Sequence, residues 1–514
     1  MPKLTDLITS NTASIASNSS TLTNVSVDPI KLYDIASNDL GHLSVRHFNR
    51  TDYVYIQDGT VIYVWDKTNK TTSSTTFSGL THISFISDTL AVGCASNGDV
   101  FKITVNGTTL TKGNVATLPS NADSGDGTNS LTSSFGSNKV VGLSSTQAAV
   151  LTQYRSSDSF HYWSFAAVDI SGSTPSIGSV TAVYAGGQYQ NISWNGARVR
   201  NGNQFIANGK HGSSNGDSFS GLFYVNGTSL SYTKFDSTRS TGGPQPRDPG
   251  LPPSLNEGDS LSWIPYGATE GYYVGPLISS GGYPNLAVVG FANTTSATLA
   301  SSMTQLSPSG AGQASTSYLA RVSPVTTTTN NGQYYVFQYI TYADANRNYY
   351  RYLYRVQNNS LSVDNNNYFS TSNHDAGVGY SIYDLQSNNE FLNFYLDRDS
   401  STQAMRSEVR RVAINTSNDT FTNNTIRTNS LPTSGSDKVG MSTIPTYPLI
   451  KDGYQYLLEQ DFYAKSNDNW VSHNPGRLNA YIPYGENDRR VRVIDDNLAI
   501  VFSATGTRMM EITA

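Results

Sequence analysis

The side chains best suited to metal ligation or nucleophilic chemistry are seven histidines and one cysteine. The histidines are His42, His47, His82, His161, His211, His374 and His473, scattered along 514 residues. Only His42 and His47 bracket one short segment; no other two share metal-ligand spacing on a single element. His-Glu-x-x-His and P-loop patterns do not occur, and "SPSGAGQAS" reads as a turn. Cys94 falls inside a predicted strand, cannot form an internal disulfide, and reads as a small buried hydrophobe. The loop "NADSGDGTNS" offers Asp123 and Asp126 with Asn121 and Asn129, oxygen donors at a spacing that suits calcium. It lacks the bidentate glutamate of a full calcium loop, and a plain surface loop is the competing reading. No other cofactor is expected.

Glycoside hydrolysis needs two carboxylates across a sugar. Asp397, Asp399, Glu459, Asp461 and Glu486 are candidates by type, at a separation the sequence does not define. A sialidase would repeat Ser-x-Asp-x-Gly-x-x-Trp, and "SNGDSFSGLFY" matches it only loosely, in one place. Aromatic residues are the stronger signal. Residues 333–356 hold eight tyrosines. Tyr334, Tyr335, Tyr349, Tyr350 and, further on, Trp470 are candidates to stack on sugars or anchor a partner. Cross-strand pairing of period-two tyrosines is the competing structural explanation.

Elements that could position such residues follow from composition. Charged residues are only 14%, against about 25% in typical globular chains. Asn, Ser, Thr, Gly and Tyr take their place, which favours pleated strands and tight turns. No stretch holds a 3.6-residue apolar period, so very little helix is expected. Net charge is −5. "RSEVRRV" and "DRRVRV" alternate with apolar residues as strand-surface arginines, so nucleic acid is not an expected partner. No apolar run approaches the roughly 18 residues of a membrane span. The first residues contain one lysine and no apolar core, unlike a secretory signal. Asn-x-Ser/Thr sequons, among them Asn18, Asn106, Asn191, Asn226 and Asn415, are expected by chance in such a composition and receive little weight.

A repeat sets the architecture. "HISFISDTLAVGCASNGDVFKIT" at 82–104 has a counterpart at 491–513, "VRVIDDNLAIVFSATGTRMMEIT". Units of the same kind begin near Leu43, His82, Lys139, Gln190, Leu261, Ser317, Val378 and Ser442. Each reads as a four-stranded antiparallel meander joined by Asn-Gly, Asp-Gly and similar turns. In the unit near Leu261 the fourth strand is expected at "TSATLASS". The unit near Ser442 reads "STIPTYPLI / GYQYLLEQDFY / RLNAYIPYG", lacks a clear fourth strand and could merge with the terminal piece. The expected fold is all-β, a closed β-propeller of about eight blades, seven to nine being the range. Sandwich domains in series are the alternative.

The last unit stops after three strands. Residues 25–35, "VSVDPIKLYDI", are the expected fourth, closing the ring by strand pairing rather than by face contact alone. Residues 1–24 then form an extended or disordered arm, and 25–514 one propeller domain. The Pro-rich segment 241–259 becomes an inter-blade loop. "IPYG", at Ile264–Gly267 and Ile482–Gly485, reads as a blade corner.

The start "MPKLTDLITSNTASIASNSS", the uncharged polar surface and the single cysteine resemble bacteriophage virion proteins, particularly tail- or fibre-associated ones. The resemblance implies a non-enzymatic virion component. Its partners would be other virion proteins and a host-surface glycan or receptor. A glycan-active propeller enzyme or free lectin is the alternative expectation.

Overall fold

A computed structural model describes residues 30–40, 45–123, 130–133, 138–157, 159–188, 192–211 and 219–236. Beyond these it describes the strands named below, with residues 271, 291–300 and 417–418. Every element among the described residues is a strand, and the strands form nine antiparallel sheets. The chain divides into two compact units, residues 43–441 and residues 1–42 with 442–514.

The first of these units holds seven sheets in chain order. Sheet 1 is Arg46–Asn49, Tyr53–Asp58, Val61–Asp66 and Thr72–Thr76; sheet 2 is Leu80–Phe85, Leu90–Ala95, Asp99–Asn106 and Thr109–Thr117. Sheet 3 is built on Lys139–Gly142, Gln147–Ser156, Phe160–Asp169 and Thr181–Gln188. An extra hairpin, Asn121–Asp123 with Ser130–Ser133, and the short Ser176–Ile177 extend it to seven strands. Sheet 4 is Ile192–Asn201, Gln204–His211, Phe219–Asn226 and Ser229–Asp236. Sheet 5 is Ile264–Pro265, Tyr272–Ile278, Pro284–Gly290 and Thr304–Leu306. Sheet 6 is Ser317–Pro324, Gln333–Ala343, Asn346–Gln357 and Ser360–Val363, with Phe369–His374 added against the third strand. Sheet 7 is Ser381–Asp384, Glu390–Arg398, Met405–Asn415 and Thr420–Ser430.

Each strand exposes alternate side chains to opposite faces, and both faces are apolar here. In Leu90–Ala95, Ala91 and Ala95 pack toward sheet 1, while Val92 and Cys94 pack toward sheet 3. In Gln147–Ser156, Ala148 and Val150 face sheet 2, whereas Ala149 and Leu151 face sheet 4. In sheet 4, Phe205 and Ala207 face sheet 3 and Ile206 faces sheet 5. A period-two strand buried on both sides therefore reads as a near-continuous apolar run, as "VLTQY" and "HYWSFAAV" do. The interface of sheets 3 and 4 centres on Trp163, fully buried and edge-on to Trp194 at 5.1 Å between ring centroids.

The second unit holds two sheets. Sheet 8 is Pro448–Lys451, Tyr454–Leu458, Phe462–Ser466 and Asn469–Ser472, ordered as a meander. Sheet 9 is Arg490–Asp495, Leu498–Ser503 and Gly506–Ile512, completed by Ile30–Ala36 from the opposite end of the chain. Ile30 pairs with Ile512, Leu32 with Met510 and Asp34 with Arg508. The expected N-terminal partner strand is thus present; its first residues, 25–29, lie outside the described residues.

Two strand expectations are corrected. In sheet 5 the fourth strand is Thr304–Leu306; of "TSATLASS", residues 295–300 lie in a bent loop, where the side chain of the preceding Asn293 accepts hydrogen bonds from Thr295 N and Ser296 Oγ. Local side-chain-to-backbone bonds won over strand propensity there. The unit near Ser442 has its own four strands. "GYQYLLEQDFY" splits into two around 459–461, and Asn469–Ser472 supplies the fourth. "RLNAYIPYG", the segment 241–259 and residues 1–24 lie outside the described residues, as does most of each "IPYG" copy; Ile264–Pro265 opens sheet 5.

Candidate functional site

A string of buried polar side chains crosses sheets 1 to 4. Arg46 Nη1 donates to Gln57 Oε1 at 3.4 Å, and Gln57 Nε2 donates to the Thr81 carbonyl at 3.2 Å. Thr81 Oγ1 lies 3.2 Å from the Asn138 carbonyl and 3.1 Å from that of Cys94, and its one proton serves one of them at a time. Thr152 Oγ1 donates to Asn138 Oδ1 at 2.5 Å, and Trp194 Nε1 to the Thr152 carbonyl at 2.8 Å. Side chains also complete the edges of first strands. Gln57 Oε1 accepts from Ile83 N at 3.2 Å, His82 Nδ1 from Val140 N at 3.4 Å and Ser84 Oγ from Gly142 N at 3.0 Å.

The physical task is clear. The first strand of a meander has one edge without a neighbouring strand, and its buried N–H groups cost about 1–3 kcal/mol each if unpaired. Side chains of the preceding sheet pair them and set the register between sheets. Beyond the Arg46 guanidinium these are neutral donors and acceptors in apolar surroundings. Cys94 sits in the string, but burial pushes its thiol up to about 12, so it stays protonated and unreactive at neutral pH. Burial likewise pushes the hydroxyls of Tyr55 and Tyr154 up to about 12; they donate to the carbonyls of Gly107 and Pro119.

Two carboxylates are held below their ordinary range, and both cap turns. Asp66 accepts from the backbone and side chain of Asn69 and from Thr68 N, and these bonds favour its charged form. Asp169 does the same with Ser171. Neither belongs to a pair across a cleft. Among the described residues, no three His, Cys, Asp or Glu side chains could hold one metal ion.

The residues singled out from sequence lie apart. Asp123 ends the strand Asn121–Asp123, paired with Ser130, and Asp126 is outside the described residues. In sheet 6 the backbone pairs Tyr335 with Tyr354, Tyr350 with Tyr339, Tyr349 with Ile340 and Tyr334 with Arg355. Tyr354 is fully buried there. Trp470 pairs with Lys465 in sheet 8. Asp397 pairs with Arg406 in sheet 7; Asp399, Glu459, Asp461 and Glu486 lie outside the described residues. His47, His82 and His161 are buried in three different sheets.

Among the described residues, two exposed aromatics were not singled out from sequence. Tyr184 and Tyr232, 44% and 36% exposed, stand on the fourth strands of sheets 3 and 4. Tyr184 packs edge-on against Phe160, and Tyr232 against Phe165. The signal available was their place in the weakest, most polar strand of each unit, "VTAVYAGG" and "SLSYTKFD".

No protein-family model and no curated protein matches this chain. Solved structures similar to it include the WD40 domain of SCAP from fission yeast, at 8% identity and TM-score 0.37 over 95% of this chain and 99% of that one. Saccharomyces cerevisiae Sqt1 aligns at 8% identity and TM-score 0.40 over 94% and 98%. The β-propeller domain of Vanderwaltozyma polyspora Nup133 aligns at 8% and 0.35 over 94% and 97%. At these scores the likeness carries no weight of its own, and the fold description rests on sheet order and register. No helix among the described residues is long and apolar enough to cross a membrane.

Proposed function

We propose that this chain is a β-propeller-type scaffold that works by docking other proteins, as a non-catalytic structural component of a virus particle. The observation that carries the scaffold reading is the sequence of shared cores. Sheets 1 to 5 each bury a face against the next, and the terminal sheet takes its fourth strand from the N-terminal part of the chain. A propeller needs both features: radial stacking of meanders and a strand that joins the two ends. Polar side chains between its sheets serve alignment rather than reaction. The virion setting is supported by sequence texture alone.

Purified particles of the producing virus, analysed by mass spectrometry, test the setting. The chain is expected among the structural proteins, in fixed ratio to its docking partner after crosslinking. Its absence from particles removes the virion reading. Turnover of a glycoside by the purified chain, lost on substitution of an Asp or Glu, removes the non-catalytic one.

A further inference from the structure

The sequence contains twelve Asn-x-Ser/Thr sequons. Their placement in the fold is uneven. Sheets 1, 2, 4, 5 and 7 carry one in the connection between third and fourth strands: Asn69, Asn106, Asn226, Asn293, and the pair Asn415 and Asn418. All six of these asparagines are exposed. The sequon at Asn358 falls in the same interval of its repeat by sequence, outside the described residues. No sequon falls in any connection between second and third strands.

Turn chemistry explains only part of this asymmetry. Asn-Gly is a favoured turn pair, and it occurs in connections of both kinds. Between second and third strands it is followed by Asp, as in Asn97-Gly98-Asp99 and Asn215-Gly216-Asp217; between third and fourth it is followed by Thr, as in Asn106-Gly107-Thr108 and Asn226-Gly227-Thr228. Gly107 and Gly227 have φ of 58° and 60° and open two-residue loops, so glycine is required there. In these two loops the positive-φ glycine sets the turn, whereas at Asn293 and Asn415 the hydroxyl two residues on also caps it. In the remaining sequons the middle residue changes to Lys, Thr or Asp while Asn and Ser/Thr stay.

First-second and third-fourth turns lie at the same end of a meander, and contacts join these ends from sheet to sheet. Tyr55 Oη donates to the Gly107 carbonyl at 3.0 Å, and Gly142 N to Ser84 Oγ at 3.0 Å. Gly178 packs so tightly that a Cβ would lie 1.8 Å from the Thr228 carbonyl oxygen. Arg200 Nη1 and Gln204 Nε2 hold the Asn293 carbonyl at 2.9 and 2.8 Å. Sheets 1, 2, 4 and 5 thus present their sequon turns, with the matching end of sheet 3 between them, on one continuous surface. At Asn293 and Asn415 the required hydroxyl already meets the amide: Thr295 Oγ1 and Ser417 Oγ donate to the respective Oδ1 at 3.2 and 2.5 Å.

We infer that the third-fourth turns are sites of Asn-linked glycosylation, which coats one end of the sheet array with sugar and leaves the other bare. The donor class is an oligosaccharide linked to a lipid phosphate or diphosphate, supplied with its transferase by the producing cell. The Asn Nδ2 forms a bond to the anomeric carbon, and the carbon–oxygen bond to phosphate breaks. The amide gives up one proton, and the lipid phosphate leaves with the bonding electrons. The inference stands whether or not the chain belongs to a virion.

The test is glycopeptide mass spectrometry on the full chain isolated from the cells or particles that make it. Glycan is expected on Asn106, Asn226, Asn293 and Asn415, and none on Asn49, partly buried in sheet 1, or Asn423, inside a strand of sheet 7. Thr108→Ala should remove the glycan from Asn106 with no change elsewhere, and Thr108→Ser should keep it. Modification confined to these turns supports the inference. Four bare asparagines, or glycan at Asn49 or Asn423 in their stead, overturns it; in either case particle composition is read separately.

Discussion

Sheets 2 and 9 share one residue pattern and are finished in different ways. Both run through a short alternating strand, a Leu-Ala-aliphatic strand and a glycine turn; Gly98 and Gly506 have φ of 87° and 144°. In sheet 2 the fourth strand follows at once through Gly107-Thr108. In sheet 9 it comes from Ile30–Ala36, more than four hundred residues away. A local hairpin closes a tiny loop, whereas pairing the two chain ends must overcome the closure entropy of nearly the whole polypeptide. Sheet 9 has extra side-chain bonds at the junction. Thr507 Oγ1 donates to the Asn38 carbonyl and accepts from Leu40 N, both at 3.0 Å. Tyr33 Oη donates to Glu511 at 3.2 Å, and Arg508 Nε to Asp34 at 3.0 Å. Gly506 admits the N-terminal strand closely: a Cβ there would lie 2.8 Å from the Ala36 carbonyl oxygen. What this teaches is that one strand code serves both a hairpin and a clasp, and the clasp depends on bonds beyond the ladder.

Deleting residues 1–36 should do the greatest damage to the comparison. It removes a ladder of bonds at about 0.5–1.5 kcal/mol each and uncovers Met509 and Met510, both buried. Several such losses rival the roughly 5–15 kcal/mol stability of a domain. The truncated chain should aggregate or melt far below the full chain, while deletion of residues 1–20 should leave the melt nearly unchanged. Equal melts for the longer deletion and the full chain would break the clasp reading.

Trp163→Ala tests the core between sheets 3 and 4, where no chain end is involved. A fully buried Trp should cost about 3–5 kcal/mol, read in chemical denaturation. The loss should add independently to those at the clasp. Thr507→Val keeps shape but strands the Leu40 N–H and the Asn38 carbonyl, at a cost of about 1–3 kcal/mol. At the matching position of sheet 2, Asp99 accepts from Thr117 Oγ1 of its own hairpin at 2.6 Å; a loss below a few tenths of a kcal/mol at Thr507 would remove the claim that the clasp needs bonds beyond its ladder.

Asp34→Ala should cost at most about 1 kcal/mol, because the Asp34 side chain is 87% exposed and its pair with Arg508 is screened. A double-mutant cycle with Arg508→Ala measures the coupling directly. The smallest effect concerns the turn of sheet 1. The Asp66 carboxylate is held below its ordinary range by the Asn69 and Thr68 bonds, so its contribution is present above the unfolded value of about 3.9 and is lost as pH falls through the folded one. The difference in stability between the chain and Asp66→Ala should therefore be constant near neutrality and shrink below about pH 4. A difference that grows with acid would reverse the assigned cause.

Turn residues and period-two strands made most of the meanders readable in advance. "YVYIQDGTVIYVWD" can hardly pair otherwise, since Asp58-Gly59 sets the hairpin and a one-residue slip would turn every apolar side chain to the wrong face. Reading failed where local bonds compete with strand propensity, as at Asn293, and where short strands follow one another closely, as in sheet 8. The candidate site was less readable. Tyrosines 334–350 attracted notice by density, yet sheet 6 sets them in cross-strand register and buries Tyr354 among the same pairs, while the exposed Tyr184 and Tyr232 lie in polar strands with no run of tyrosines to mark them.

The sequence by itself determined the strands, their hairpins and the incomplete last repeat, because these depend on neighbours in the chain: alternation, glycine at positive φ, and Asn or Asp in turns. Tertiary structure alone decided which faces meet and which edge groups are paired by Gln57, His82 and Ser84. It also decided that the sequon turns of sheets 1, 2, 4 and 5 share one surface. These depend on residues tens to hundreds of positions apart, brought together by burial of apolar faces, a force that acts through area and carries no record of sequence distance.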